Sequence, residues 1–309
     1  HNFKSGEEGV ITYKSSNPFE FFHILNSKES EEQDMFGTLI FPEEKKETYP
    51  LVICMHGSLG WRGHHHEHAV NFLNNGFAIF RVSSFDARQV FSIVEDQMQV
   101  TLATVLADCF NALKILSKHP DIDPTKIFIT GWSLGGGVSL YSAWLPLINA
   151  INGGKFMFAA HLPIYPPCMA YPYPKENMQF SVAPIHILIG ELDNWVPAAA
   201  CTELIDKMYV SELPINIDIT IYKDSHHSFD RVSEVTVNEE GYTLGDCRFP
   251  MNEEGSLWLS EYWHIPINKP LRQKLALLTC AGRGPSMGGN KEAREASFKF
   301  SAEFFSKYL

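Results

Sequence analysis

A serine between glycines is the residue best placed to act as a nucleophile. Ser133 stands at the centre of the run GWSLG at 131–135, which matches the G-x-S-x-G pattern and directly follows an apolar run at 126–130. Between a strand and a helix, this pattern forms a turn too sharp for larger residues, and it raises the serine hydroxyl at the end of the strand. The N-terminus of the helix behind it favours developing negative charge. A glycine-rich turn that only packs a helix is the alternative.

The acid and base that a serine nucleophile needs follow in the chain order serine, acid, histidine. Glu191 and Asp193 come after one predicted strand, and Asp193 is favoured because a proline and a helix begin just beyond it. His226 and His227 come after the next predicted strand. Adjacent side chains point to opposite sides of an extended chain. The residues alone therefore leave the base open between these two histidines.

An oxyanion hole needs two backbone N–H groups near the nucleophile. One belongs to the residue after the serine, Leu134, and the other to the loop at 56–60 that follows the first core strand. In that loop Ser58 and Leu59 are the candidate donors, and Leu59 is chosen. Each donor contributes on the order of 3 kcal/mol to transition-state stabilisation.

Four side chains near these loops are candidates for substrate binding. Arg88 follows the second core strand and could bind a carboxylate bidentately, or form a structural pair with a nearby acid. Trp61, Trp195 and Tyr165 flank the motif loops and could line an apolar acyl pocket. Plain core packing is the alternative for all three aromatic residues.

Continuous apolar runs alternate with helical patterns, which predicts a doubly wound, mostly parallel α/β sheet. The predicted core strands are 51–55, 77–82, 126–130, 156–164, 185–189 and 215–222, and strands at 10–14, 20–25 and 36–41 precede them. The predicted helices are 97–119, 198–208 and 292–308. Residues 27–34 are expected to form a loop.

The segment 231–290 interrupts the alternation of strands and helices. We interpret it as an excursion, an insertion between the last core strand and the last helix, near the mouth of the site. It should contain a hairpin at 247–267 with its turn at 252–255. Because the segment has no core of its own, residues 1–309 are counted as one domain.

The charge balance argues against nucleic acid as a partner. There are 36 acidic and 25 basic residues, a net charge of −11, and no basic run to contact a nucleic-acid backbone. The charge-free run at 127–154 contains glycines and a proline, so it predicts a strand, turn and helix rather than a membrane span. The first residue is His1, so we expect a cytoplasmic protein or, after removal of a signal peptide, a periplasmic or secreted one.

The cysteines and histidines leave smaller questions open. Cys54 and Cys109 lie in apolar patterns and are expected to be buried thiols. One disulfide among Cys201, Cys247 and Cys280 is a possibility. The histidine-rich run at 64–68 has metal-ligand spacing, but we interpret it as a loop before a helix at 69–75 and predict no metal and no cofactor.

The sequence resembles the dienelactone hydrolase family of the α/β-hydrolase superfamily. The resemblance covers roughly 51–230 and the final helix, and it rests on HGS at 56–58, SF at 84–85 with Arg88, GWSLGG at 131–136, YP at 165–166 with Cys168, residues 190–197 and HSF at 227–229. It implies the α/β-hydrolase fold. It also implies His227 as the base, because the family's histidine precedes a Gly/Ser–Phe pair, and it supports Asp193 as the acid. Founding members of the family use cysteine where Ser133 stands, and the excursion at 231–290 exceeds the family's minimal core.

The expected function is a serine hydrolase that cleaves small carboxylic esters or lactones through an acyl-enzyme on Ser133. His227 would take the serine proton, and Asp193 would orient the imidazole. A peptidase or thioesterase with the same three residues is the alternative among enzymes. A binding protein that keeps the fold without catalysis is the alternative outside them.

Overall fold

Strands and helices alternate along most of the chain. The structure, a computed structural model, describes residues 2–28 and 30–309. The strands are β1 (Gly9–Ser16), β2 (Glu32–Ile40), β3 (Tyr49–Met55), β4 (Ala78–Val82), β5 (Ile122–Trp132), β6 (His161–Ile164), β7 (Ala170–Pro172), β8 (Ile185–Gly190), β9 (Ile217–Tyr222), β10 (Thr236–Val237), β11 (Tyr242–Thr243), β12 (Phe249–Met251), β13 (Gly282–Arg283) and β14 (Ser286–Met287). The helices are α1 (Phe21–Leu25), α2 (Gly63–Asn74), α3 (Leu102–Leu116), α4 (Leu134–Tyr141), α5 (Leu145–Asn152), α6 (Ala198–Val210), α7 (Pro270–Cys280) and α8 (Lys291–Ser306).

The central sheet has eight strands in the order β1-β2-β4-β3-β5-β6-β8-β9. The pairs β1/β2 and β2/β4 are antiparallel, and every other neighbouring pair is parallel. Every residue of β3 is buried, as expected for a strand covered on both faces. The predicted doubly wound, mostly parallel sheet is therefore confirmed, and the carboxyl ends of its parallel strands meet at one edge.

Aromatic side chains join two of the helices to the sheet. Phe72 of α2 and Phe305 of α8 have ring centroids 5.6 Å apart, and Phe305 stacks on Phe128 of β5 at 5.0 Å. The predicted helices at 97–119, 198–208 and 292–308 are confirmed as α3, α6 and α8, with shorter or slightly shifted ends. The charge-free run at 127–154 forms the end of β5, then α4 and α5, as predicted. Among the described residues no helix is long and apolar enough to cross a membrane.

Two local predictions were wrong. The predicted strand at 20–25 is the short helix α1. Its backbone bonds close locally, with the N–H of Asn26 donating to the carbonyl of Phe22 at 3.0 Å, and Phe21 packs against Tyr141 and Trp144. The histidine run at 64–68 lies within α2 rather than in a loop. The loop expected at 27–34 is shorter, because β2 begins at Glu32, and residue 29 lies outside the described residues.

The segment 231–290 holds five short strands and α7, a helix that the sequence pattern did not predict. Its predicted turn is present, with the N–H of Gly255 donating to the carbonyl of Asn252 at 2.9 Å. The predicted hairpin is mostly wrong. β12 pairs in parallel with β7, and within the described residues 247–267 the antiparallel pairing consists of the isolated bridges Met251–Leu257 and Trp258–Pro266. Outside that range, β10 pairs with β14 and β11 with β13, both antiparallel.

Two disulfides link parts of the chain. Cys168 pairs with Cys201, and Cys247 pairs with Cys280, which ties the start of β12 to the end of α7. Cys54 and Cys109 are free and buried, as predicted.

Candidate active site

A sharp turn between β5 and α4 presents Ser133. The residue has φ 54° and ψ −113°, a conformation that non-glycine residues adopt rarely and that is concentrated at functional sites. The two flanking positions must be glycine, because a Cβ atom at either one would clash with backbone. A Cβ on Gly135 would lie 2.0 Å from the carbonyl oxygen of Met55, and one on Gly131 would lie 2.2 Å from that of Gly135. The turn therefore has the strand–turn–helix geometry that the motif predicted.

The structure brings the three predicted residues together at the carboxyl edge of the sheet. Nε2 of His227 lies 3.1 Å from Oγ of Ser133, and Nδ1 lies 2.7 Å from Oδ2 of Asp193. The histidine and the aspartate are buried, and the serine is half-buried. This arrangement can carry a proton from the hydroxyl to the imidazole while the carboxylate orients the ring.

The competing residues are engaged elsewhere. Nδ1 of His226 lies 2.7 Å from Oγ of Ser286. The Glu191 carboxylate accepts a hydrogen bond from the N–H of Asp224 at 3.0 Å. His227 is therefore the member of its pair that lies beside Ser133, and Asp193 is the member of its pair that lies beside His227.

Tyr165 packs against the ring of His227, and its hydroxyl is bound by the buried carboxylate of Asp230. The rings of Tyr165 and His227 lie 4.7 Å apart, and the Tyr165 hydroxyl donates to Oδ1 of Asp230 at 2.9 Å. Oδ2 of Asp230 lies 3.2 Å from Nε2 of His68. Burial raises the pKa of Tyr165 well above its ordinary value. Asp230 was not among the predicted site residues, although an acid three residues after the candidate base is a visible signal.

The histidine run is part of the buried structure. His65 stacks on Trp132 at 4.6 Å, and burial lowers the pKa of His64 to about 4. This ring is therefore neutral near pH 7. Within 2–28 and 30–309, no group of three or more His, Cys, Asp or Glu side chains is placed to hold a metal ion.

The predicted oxyanion loop borders a small cavity of about 20 Å³ beside Ser133. Ser58 and Leu59 line this cavity together with His227. Leu134 is the first residue of α4, so its N–H has no acceptor within the helix. The loop that holds Ser58 and Leu59 and the first residue of α4 therefore both lie next to Ser133.

A second cavity of about 240 Å³ also opens at Ser133 and is mostly apolar. Its walls come from the segment before α1, from α3 and α4, and from the excursion. Representative lining residues are Phe19, Phe21, Met98, Leu102, Tyr141, Phe249, Leu257 and Leu277. His227 does not line it. Residues of the segment 231–290 therefore form part of the wall of this cavity.

The four candidate substrate-binding residues divide into two groups. Trp195 lines both cavities, and Tyr165 lines the small one. Trp61 lines neither cavity. Its ring stacks on His66 at 5.6 Å, and the Arg81 guanidinium lies 4.9 Å from its centroid.

Arg88 does not face the site. Its guanidinium forms a two-pronged ion pair with the buried carboxylate of Asp108, at 2.7 and 2.9 Å. It also donates to the side chain of Asn17 at 2.8 Å and lines neither cavity. The expectation that Arg88 binds a substrate carboxylate is therefore wrong, and the structural pair is the correct alternative. A lone aspartate in the apolar pattern of α3 was the available signal for its partner.

Comparison with known proteins agrees with this fold. The sequence profile of the dienelactone hydrolase family matches residues 36–243. A dienelactone hydrolase-like promiscuous phosphotriesterase from metagenomic libraries is 15% identical, with 97% of this chain and 99% of that chain covered and a TM-score of 0.56. A thermophilic esterase from the Planctomycetes species Thermogutta terrifontis is 15% identical, with 63% and 79% covered and a TM-score of 0.51. A search of curated protein sequences gave no match.

The fold and the strand–turn–helix motif define an α/β-hydrolase. The chain belongs to the dienelactone hydrolase family, and it is a carboxylic ester hydrolase.

Proposed function

We propose that the enzyme hydrolyses esters of apolar acyl chains through an acyl-enzyme on Ser133. His227 takes the proton from the hydroxyl as Oγ attacks the ester carbonyl, and Asp193 stabilises the imidazolium. The N–H groups of Leu134 and of Leu59 or Ser58 bind the oxyanion. The observation that carries the proposal is the continuous chain of hydrogen-bond distances from Asp193 through His227 to Ser133.

The two cavities would hold different parts of the substrate, the alcohol in one and the acyl chain in the other. The leaving alcohol must take its proton from Nε2 of His227, so it departs on the side of the small cavity that His227 lines. The acyl chain then extends the other way, into the large cavity that Ser133 lines without His227. Its apolar walls favour a hydrocarbon chain, since burying apolar surface contributes about 25 cal/mol per Å². Water subsequently attacks the acyl-enzyme with His227 as base.

The excursion acts as a cap on this acyl site. Phe249, Leu257 and Leu277 place three parts of 231–290 in the wall of the cavity. Within a single domain of residues 1–309, this segment would set the acyl-chain length that the enzyme accepts. The same three catalytic residues could serve a peptidase or thioesterase. The apolar cavity favours a hydrocarbon acyl part over a peptide, and the comparison of esters with thioesters below separates an esterase from a thioesterase.

A panel of p-nitrophenyl esters, lactones, thioesters and a peptide anilide tests the proposal. The wild-type enzyme should hydrolyse p-nitrophenyl acetate and longer esters, and Ser133→Ala should lower kcat by more than about a thousandfold. Ser233→Ala, at an exposed serine, is the matched control. Substantial ester hydrolysis by Ser133→Ala would contradict the nucleophile assignment, and faster cleavage of the anilide than of any ester would contradict the substrate class.

A further inference from the structure

The helix α7 presents an apolar face to solvent. Leu271, Leu275 and Leu278 follow one another at spacings of four and three residues, which place them on one side of the helix. These side chains are 70%, 55% and 75% exposed. On the opposite side, Gln273 and Leu277 line the large cavity. Contiguous exposed apolar residues of this kind mark surfaces that bind proteins or membranes.

Basic side chains flank this apolar face. At the helical repeat, Arg272 and Lys274 lie on either side of the three leucines, and Lys269 stands at the N-cap. The surrounding segment 262–290 contains four Lys or Arg residues and no Asp or Glu, in a chain whose net charge is −11. Among the described residues these three cations have one carboxylate partner, Asp96, whose Oδ1 lies 3.9 Å from Nζ of Lys274. The outer face of α7 is therefore positively charged at its edges and apolar at its centre.

Two exposed aromatic residues lie in the loop before α7. Tyr262 is 93% exposed and Trp263 is 67% exposed. The guanidinium of Arg272 donates to the carbonyl of Pro266 at 3.1 Å, which ties the end of this loop to the first turn of α7. Tyrosine and tryptophan are enriched where proteins meet the interface of a lipid bilayer, because their rings are apolar with one polar group. The loop therefore supplies side chains suited to a lipid interface near the start of the helix.

The same helix separates the large cavity from solvent. Gln97 and Met98, in the loop before α3, line this cavity together with Gln273 and Leu277 of α7. Asp96, which contacts α7, belongs to the same loop. The loop and the helix are therefore adjoining parts of one wall. A surface that binds the outer face of α7 would lie one helix diameter, about 10 Å, from the acyl site.

We propose that the outer face of α7 binds an anionic lipid surface, from which the enzyme takes its ester substrates. The leucines enter the boundary between headgroups and acyl chains, and the flanking cations pair with the anionic headgroups. A second copy of this chain is the competing occupant. A symmetric pair would bring Arg272 and Lys274 of one copy against the same residues of the other, so like charges would oppose it. The delivery of substrate rests on the proposed function, whereas the binding itself does not.

Co-sedimentation with vesicles tests the proposal. The probes are vesicles of phosphatidylcholine alone and of phosphatidylcholine with phosphatidylglycerol in about equal parts. The wild-type enzyme should bind the anionic vesicles about tenfold more tightly than the neutral ones, and added salt should weaken this binding. Leu271→Ser with Leu275→Ser should lower the affinity for anionic vesicles by about tenfold or more. Arg272→Gln with Lys274→Gln should remove most of the difference between the two kinds of vesicle.

Val210→Ser, at an exposed apolar residue of α6, and Lys114→Gln, at an exposed lysine of α3, are the matched controls. Both should bind vesicles as the wild type does. Hydrolysis of dissolved p-nitrophenyl butyrate should be unchanged in these controls and in the two double variants of α7, because none of the altered side chains lines a cavity at Ser133. Circular dichroism checks that each variant is folded.

Three outcomes would overturn the inference: no binding of the wild type to either kind of vesicle, equal binding to both, or wild-type binding by Leu271→Ser with Leu275→Ser. The first two are measured on the wild type, so they decide the matter even if a variant does not fold. A dimer in sedimentation velocity that the leucine double variant dissociates, without vesicle binding, would assign the face to a second copy instead.

Ser133→Ala separates this inference from the proposed function. It should bind anionic vesicles as tightly as the wild type, because the binding needs no catalysis. If ester hydrolysis depends on Ser133 but vesicle binding is absent, only the role of the α7 face fails. If vesicles are bound but Ser133→Ala still hydrolyses esters, only the nucleophile assignment fails.

Discussion

The carboxylate of Asp193 divides its two oxygens between His227 and the backbone. Oδ2 lies 2.7 Å from Nδ1 of His227. Oδ1 accepts the N–H groups of Trp195 and Val196 at 3.0 and 2.9 Å. The two backbone donors fix the carboxylate, so the oxygen toward His227 is held in position before substrate arrives. The loop after β8 thus orients the imidazole through one side chain.

Asp193→Asn should lower kcat by a factor on the order of 10⁴ while the protein stays folded. The amide oxygen can still accept from Trp195 and Val196, which turns the NH₂ group toward Nδ1. That donor favours the imidazole tautomer with its proton on Nε2, which cannot take the Ser133 proton. Ester hydrolysis and circular dichroism would check this, with Asp206→Asn at an exposed aspartate as control. Near-normal kcat would contradict the orienting role of Asp193.

Arg88→Met should destabilise the fold without changing substrate binding. It leaves the buried carboxylate of Asp108 without its ion-pair partner, and breaking a buried pair costs about 3–5 kcal/mol. The free energy of unfolding from urea titration measures this loss, and the double variant Arg88→Met with Asp108→Leu should recover much of it. A raised KM for anionic esters at unchanged stability would instead place Arg88 at the substrate.

Glu20→Gln should change how stability depends on pH. Burial raises the pKa of Glu20 from 4.5 to about 7, so the native state holds this proton where the unfolded chain has lost it. The wild type therefore loses stability, relative to the variant, as pH rises from 4.5 to about 7. The difference should reach about 3 kcal/mol. Urea unfolding of both proteins across this range measures it, and a constant difference would contradict the raised pKa.

Cys280→Ser should loosen the cap and weaken hydrolysis of longer esters. The bond between Cys247 and Cys280 closes a sequence separation of 33 residues, for which chain-entropy arguments give about 4 kcal/mol of stabilisation. Because Leu277 of α7 lines the acyl cavity, kcat/KM for an octanoyl ester should fall more than that for an acetyl ester. Leu278→Ser, at an exposed residue of the same helix, is the control. Equal losses for both esters would separate α7 from acyl binding.

The serine, acid and histidine could be predicted because each follows a core strand whose apolar run is continuous. Strand ends of a parallel sheet share one edge, so Ser133, Asp193 and His227 had to approach one another there. The position of each residue at the end of a predicted strand was therefore enough to predict that the three side chains lie close together. The choice between His226 and His227 needed the family resemblance, since local pattern treats adjacent histidines alike.

The acyl cavity could not be predicted in the same way, because its wall joins parts of the chain that are distant in sequence. Glu20 and Leu277 line the same space, but neither belongs to a motif. The error at 20–25 has a related cause. An aromatic run has high β-propensity, but here Phe21 packs against Tyr141 from a short helix, a contact with a distant part of the chain that the local pattern does not contain. Arg88 was misassigned because its partner, Asp108, lies on another element.

Covalent labelling tests the central claim most directly. A fluorophosphonate probe reacts with a serine hydroxyl that a neighbouring base has activated. After incubation with the native enzyme and proteolysis, mass spectrometry should find one adduct, on Ser133, and this adduct should be lost in His227→Ala. An adduct on another serine, or an unlabelled Ser133 in enzyme that hydrolyses esters, would contradict the account.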